Sequence, residues 1–180
     1  MKKTVLAALI GAALCSPWPA LADSSYLKVG VGQSRYSTSL DTETERALSL
    51  AYGAALDATW GYEVGYIHFG NLRQGAPGLS VSTRSQALYG AGIANLPINS
   101  ATRVYSKVGL AVVNTKLSGA VSELAPGAAT GTTTNLMAGL GLDYKFTPQV
   151  AGNIEYQYFG NAHHLPINLS AWTVGLKYGF

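Results

Sequence analysis

From Tyr26 to Phe180 the chain falls into eight segments in which apolar side chains recur at every second position. Successive side chains on a strand point to opposite faces, so this period predicts a sheet with one apolar face and one face of different chemistry. Segment six is the clearest: Leu136, Ala138, Leu140, Leu142, Tyr144 and Phe146 oppose Asn135, Met137, Gly139, Gly141, Asp143 and Lys145. Segment one sets Leu27, Val29 and Val31 against Lys28, Gly30, Gly32 and Ser34. Segment two opposes Leu48, Leu50 and Tyr52 to Ser49, Ala51 and Gly53, and segment three opposes Trp60, Tyr62, Val64 and Tyr66 to Gly61, Glu63 and Gly65. In segment four Ala87, Tyr89, Ala91 and Ile93 read as the apolar side, against Gln86, Leu88, Gly90 and Gly92. Segment five places Val104, Val108, Leu110 and Val112 opposite Tyr105, Lys107, Gly109 and Ala111. Segment seven opposes Val150, Ile154, Tyr156 and Tyr158 to Ala151, Asn153, Glu155 and Gln157. The last opposes Trp172, Val174, Leu176, Tyr178 and Phe180 to Thr173, Gly175, Lys177 and Gly179.

These segments run about 9–13 residues, the length a tilted strand needs to cross a bilayer. A soluble sandwich uses strands of about 5–6 residues and turns a polar face to water. Here the second face is glycine, alanine and serine with isolated charges, which suits the filled interior of an eight-stranded barrel. Trp60, Tyr62, Tyr144, Phe146, Tyr178 and Phe180 cluster near one end of their segments, as an interfacial aromatic girdle does. Pro77, Pro97, Pro126, Pro148 and Pro166 all read as lying between segments, where a missing N–H breaks no ladder. Connections alternate in length. Those at Asp57–Thr59 and Thr147–Pro148 are short, and Asn95–Thr102 is intermediate; Ser37–Arg46, Gly70–Arg84, Lys116–Thr132 and Gly160–Asn168 are longer. The expectation is an all-β, eight-stranded antiparallel up-and-down transmembrane barrel with short periplasmic turns, longer outer loops and both termini on the periplasmic side.

Composition agrees. Charged residues are 12% of the chain, about half the usual share of about 25%. Yet beyond the N-terminus no continuous apolar run is long enough for a membrane helix. At the N-terminus Lys2 and Lys3 precede an apolar run from Val5 to Leu14, and Ala20-Leu21-Ala22 offers a signal-peptidase site. Residues 1–22 therefore read as a cleaved signal peptide and 23–180 as the barrel domain. A lipoprotein signal ending at Cys15 is disfavoured, because bulky Leu14 stands where a small residue belongs. Cleavage removes the sole cysteine, and loss of Lys2 and Lys3 takes the formal charge from +3 to +1. Nothing then favours nucleic acid as a partner.

The stretches GYEVGYIHFG (61–70), AGLGLDYKFTPQVAGNIEYQYFGN (138–161) and the ending TVGLKYGF resemble the OmpA-type transmembrane domain and its opacity-protein relatives. The resemblance implies an outer-membrane barrel whose last strand, with Tyr178 and Phe180, is read by the barrel-insertion machinery. With the chain stopping at Phe180, no peptidoglycan-binding domain is expected. The resemblance also implies an interior charge cluster, in which Glu63 matches the third-strand glutamate. Where it would place an arginine beside Glu155, this chain has Asn153.

Seven charged residues share the interior parity: Lys28, Glu63, Lys107, Asp143, Lys145, Glu155 and Lys177. Buried charges need partners, so these read as a salt-bridged plug, with a pore gate as the alternative. Lys107 is the first-choice partner of Glu63. His163 and His164, with Ser170 following, sit in the last outer loop without a carboxylate to orient them, so neither catalysis nor a metal site is expected. No cofactor is expected either. The third outer loop, SGAVSELAPGAATGTTT, is low-complexity and expected to be mobile. Function should therefore lie in the outer loops, as a non-enzymatic structural or surface-interaction protein, an adhesin or resistance factor. Its partners would be outer-membrane lipid, lipopolysaccharide and a host surface ligand. A narrow pore is the alternative, and a lipid-modifying enzyme ranks below both. Epitope tags placed in Ser37–Arg46, Gly70–Arg84, Lys116–Thr132 or Gly160–Asn168 should be reached by antibody on intact cells. Labelling of a tag at Asp57–Thr59 instead would reverse the orientation.

Overall fold

The computed structural model describes residues 25–37, 42–76, 79–121, 124–161 and 168–180. The expected signal peptide and Cys15, Pro77, His163, His164 and Pro166 lie outside them. Eight strands follow one another: β1 (Ser25–Ser37), β2 (Thr42–Ala55), β3 (Trp60–Ala76), β4 (Leu79–Pro97), β5 (Thr102–Val121), β6 (Leu124–Lys145), β7 (Val150–Asn161) and β8 (Asn168–Gly179). Each pairs antiparallel with the next, and β8 returns to β1 in register from Tyr26↔Gly179 to Ser37↔Asn168. The sheet is a closed barrel.

Alternation places the apolar side chains outward on most strands. Leu136, Leu140, Val108 and Val174 are all more than half exposed, as a lipid-facing wall requires. Trp60, Tyr144, Phe146, Tyr178 and Phe180 are exposed at the short-turn end, and Tyr66, Tyr158 and Trp172 at the other. Together they form two aromatic girdles.

Strand β4 departs from the expected parity. Ala87, Tyr89, Ala91 and Ile93 are buried inside, while Leu88, Gly90 and Gly92 face out. The reason lies on β3: Tyr89 pairs with Gly65, and a Cβ at Gly65 would sit 2.8 Å from the Tyr89 ring edge. The glycine makes the room that the ring fills, so the apolar parity of β4 serves the lumen.

The outer connections are also shorter than expected. Most of Gly70–Arg84 and Lys116–Thr132 continues as ladder, and β4 pairs with β5 from Leu79↔Val121 onward, so β3, β4, β5 and β6 extend together as one four-stranded sheet. Pro97 ends β4 and Pro126 falls within β6 rather than between segments. Pro126 is tolerated because the β5–β6 register shifts between Gly119 and Val121, where it has no ladder partner.

Two further irregularities share a motif. In Phe69-Gly70-Asn71 and Phe159-Gly160-Asn161 the register slips across the glycine, whose φ is 81° and 68°. Only glycine takes such a φ without strain. The carbonyl of Phe69 accepts bonds from Ser34 Oγ (2.7 Å) and Tyr36 OH (3.2 Å), and that of Phe159 from Asn135 Nδ2 (2.9 Å). Both rings turn inward and meet edge to face at 5.1 Å. At the opposite end Asp57 closes the β2–β3 turn by accepting the N–H groups of Thr59 and Trp60, both at 2.7 Å. These bonds hold its carboxyl below the ordinary aspartate range.

Leu88→Arg and Leu140→Arg, both on the lipid face, should each destabilise the barrel by about 2–4 kcal/mol in a folding titration. Ala87→Ser, facing the lumen beside Leu88, should cost far less. The reverse ranking at positions 87 and 88 would reinstate the opposite parity for β4.

Candidate functional site: a charged and aromatic plug

Four strands bring four charges together in the half of the lumen nearer the short turns. Lys28 on β1 donates to Glu63 Oε2 and to Glu155 Oε2, both at 2.8 Å. Lys107 on β5 donates to Glu63 Oε1 at 2.7 Å and pairs with Glu155 Oε1. Each lysine thus touches both glutamates, and the four side chains close into a ring. All are essentially sealed from solvent. In such surroundings each charge persists only because it is matched. Lys107 is a partner of Glu63, and Lys28 is an equal one.

Phenols complete the shell. Tyr26 donates to Glu63 Oε2 and Tyr89 to Glu63 Oε1, each at 2.8 Å. Glu63 therefore accepts from two ammonium groups and two hydroxyls. Lys107 also lies over the Tyr89 ring, 4.6 Å from its centroid, a favourable cation–π placement. Tyr26, Tyr89 and Tyr105 are directly opposite Gly53, Gly65 and Gly141. A Cβ at any of these glycines would run into the facing ring. The glycine parity is therefore an aromatic-packing device, and Gly141→Ala would displace Tyr105 rather than disturb packing only locally.

A second cluster lies nearer the turns. Asp143 Oδ2 accepts from Arg103 at 2.7 Å and Lys177 at 3.0 Å, and Oδ1 accepts from Asn153 at 2.8 Å. Asn153, standing where the resemblance places an arginine, also donates to Tyr105 OH at 2.7 Å. Lys177 rests 3.6 Å from the centroid of the Tyr26 ring.

Two corrections follow for the seven expected charges. Lys145 is exposed and joins neither cluster, because it lies at the very end of β6, beyond the packed interior. Arg103 takes its place beside Asp143. The sequence reading does not include it, although its odd parity matches that of Tyr105 and Lys107 and identifies it.

On the other side of the ring the lumen is mainly apolar. Ile67, Phe69, Val113, Met137, Phe159 and Leu169 fill it, with Phe159 reaching the Tyr89 ring at 6.0 Å. Between the two layers sits Gln157, fully buried, whose amide finds no partner among the described residues. Also among the described residues, no group of three metal-ligating side chains comes together. Ser170 is buried on β8, and His163 and His164 lie outside the described residues.

Glu63→Gln should leave two lysines sharing one carboxylate and cost about 3–5 kcal/mol, the usual penalty for a broken buried pair. Adding Lys107→Met should return a large part of that loss, so the double mutant is more stable than the sum of the singles implies. Strict additivity in urea unfolding would disconnect the two residues.

The whole of this architecture matches known outer-membrane barrels. The chain superposes on the attachment invasion locus protein Ail of Yersinia pestis with a TM-score of 0.67 at 17% identity, covering 87% of this chain and 98% of that one. Neisserial surface protein A gives 0.66 at 18% identity, covering 87% and 97%. The N-terminal barrel of OprF from Pseudomonas aeruginosa gives 0.61 at 14%, covering 88% and 98%. At such identities the likeness is one of fold. No curated protein matches the sequence. Residues 5–180 match the family described as the outer membrane protein beta-barrel domain, and the chain belongs to that family, an integral protein of the outer membrane.

Proposed function

We propose that this protein is a non-enzymatic surface-interaction barrel, an adhesin or resistance factor, that works through its outer strand extensions while its lumen stays closed. The observation that carries this reading is the lumen itself: the ion-pair ring lies across it, and a cluster of buried apolar side chains backs the ring. By contrast β5, at 20 residues, far exceeds what the membrane needs. A strand that long spans ~65 Å along its axis, against an apolar band ~25 Å tall. The surplus of β3–β4 and β5–β6 stands on the outer side and offers backbone edges and side chains to a partner.

In this reading residues 1–22 are removed on export and 23–180 form the barrel. Tyr178 and Phe180 present the last strand to the insertion machinery, and both termini face the periplasm. Arg35, Arg46, Arg84 and Lys116 are all exposed, on outward parity, near the outer ends of β1, β2, β4 and β5. No acidic residue among the described ones shares that outward position. Such a belt suits the phosphates and carboxylates of lipopolysaccharide. Ail was solved in complex with a heparin analogue, sucrose octasulfate; a sulfated host glycan is accordingly the first host ligand to test here.

Shortening the β5–β6 extension by deleting residues 117–130 should leave a folded, membrane-inserted barrel but abolish adhesion or serum survival in a strain dependent on the protein. The wild type should show no channel current in planar bilayers. Discrete conductance steps that change in Glu63→Gln, with adhesion untouched by the deletion, would replace this reading with that of a narrow pore.

A further inference from the structure

The turn-side mouth of the barrel encloses a cavity of about 220 Å³. Its walls are small residues, Ala54, Ala55, Gly61 and Ala151, which is why the space exists. Three cations line it: Arg103, Lys145 and Lys177. Among the described residues the only carboxylate bonded to any of them is Asp143, and it is already saturated by Arg103, Lys177 and Asn153. Among the described side chains, three cations at the cavity are therefore set against one carboxylate. Arg103 Nε is buried without a hydrogen-bond partner, and Lys145 makes no ion pair among the described residues. Positive charge thus converges on a space that no described side chain fills.

We propose that this mouth binds a small phosphate-bearing anion. A tetrahedral dianion matches the surplus of two charges. It also offers oxygens enough for a guanidinium and two ammonium groups. The volume admits a phosphate or pyrophosphate group with a few waters and excludes a folded partner. The Tyr26 ring under Lys177 and the Asp143 carboxylate hold two of the three cations in place beforehand, so little ordering is left for binding. The source is either a soluble phosphate compound or a phospholipid headgroup of the facing leaflet. Naming the periplasm as that side rests on the orientation proposed above, whereas the site itself does not.

The test uses refolded protein in uncharged detergent micelles, titrated with inorganic phosphate and with pyrophosphate by calorimetry. Saturable binding with one site per barrel is expected. Lys145→Gln, at an exposed residue that packs against nothing in either charge cluster, should weaken it about tenfold, the loss of one charge-assisted contact, with the unfolding midpoint unchanged. Arg103→Gln should weaken it further. Absence of saturable binding, or wild-type affinity in both variants, overturns the proposal. Repeating the titration in nanodiscs identifies the source. A lower phosphate affinity in phosphatidylglycerol than in phosphatidylcholine marks a headgroup competing for the mouth, and equal affinity marks a soluble anion. Because micelles expose both mouths, failure here is separate from failure of the tag-based orientation.

Discussion

No backbone N–H or C=O can be left unpaired in hydrocarbon, and everything else in this molecule follows from satisfying that demand. Every strand pairs on both sides, and the seam between β1 and β8 runs the full length of β8. With eight strands the closed cylinder is too narrow to hold a water column and too wide to be filled by backbone alone. The lumen must be packed with side chains, and whatever polar groups enter it must be matched there. The glycines facing Tyr26, Tyr89 and Tyr105 and the four-membered charge ring are two answers to that one requirement.

The same demand made the fold legible. A period of two sustained over eight segments, with polar punctuation between them, admits few other structures, and the aromatic ends of β3, β6 and β8 marked the bilayer interface. What alternation cannot supply is which parity faces the lipid when both faces carry apolar residues. On β4 the answer is held by Gly65 and Glu63 of the neighbouring strand, and a single segment read alone does not contain it. The length of the outer strands was hidden for a related reason. Gly, Ser and Thr around residues 116–132 look like loop because they have nothing to bury, but a ladder held by backbone bonds needs no apolar side chains.

The candidate site was partly visible. Lys28, Glu63, Lys107, Asp143, Glu155 and Lys177 stand out as charges on an otherwise small-residue parity, and the structure brings them into two connected clusters. Lys145 shares their parity but not their depth, since parity says nothing of position along the barrel axis. The phenols were missed as ligands of the charges, because a tyrosine in such a chain reads first as an interfacial anchor. Parity already sets Tyr26 with Lys28 and Tyr105 with Lys107, but only the register, which sets each ring over a glycine, assigns Tyr89 to the interior.

That register has a consequence for how the barrel comes together. Tyr26 with Gly53, Tyr89 with Gly65, and Tyr105 with Gly141 each lie within one hairpin, β1–β2, β3–β4 and β5–β6 respectively. Each of these hairpins can seat its own ring before meeting the others. The fourth hairpin, β7–β8, has no such pair and instead brings Glu155, the one carboxylate that both Lys28 and Lys107 still require. Without β7–β8, two ammonium groups would share Glu63 alone. The hairpin that supplies Glu155 is also the one that closes the seam to β1, so neutrality of the interior depends on completion of the cylinder.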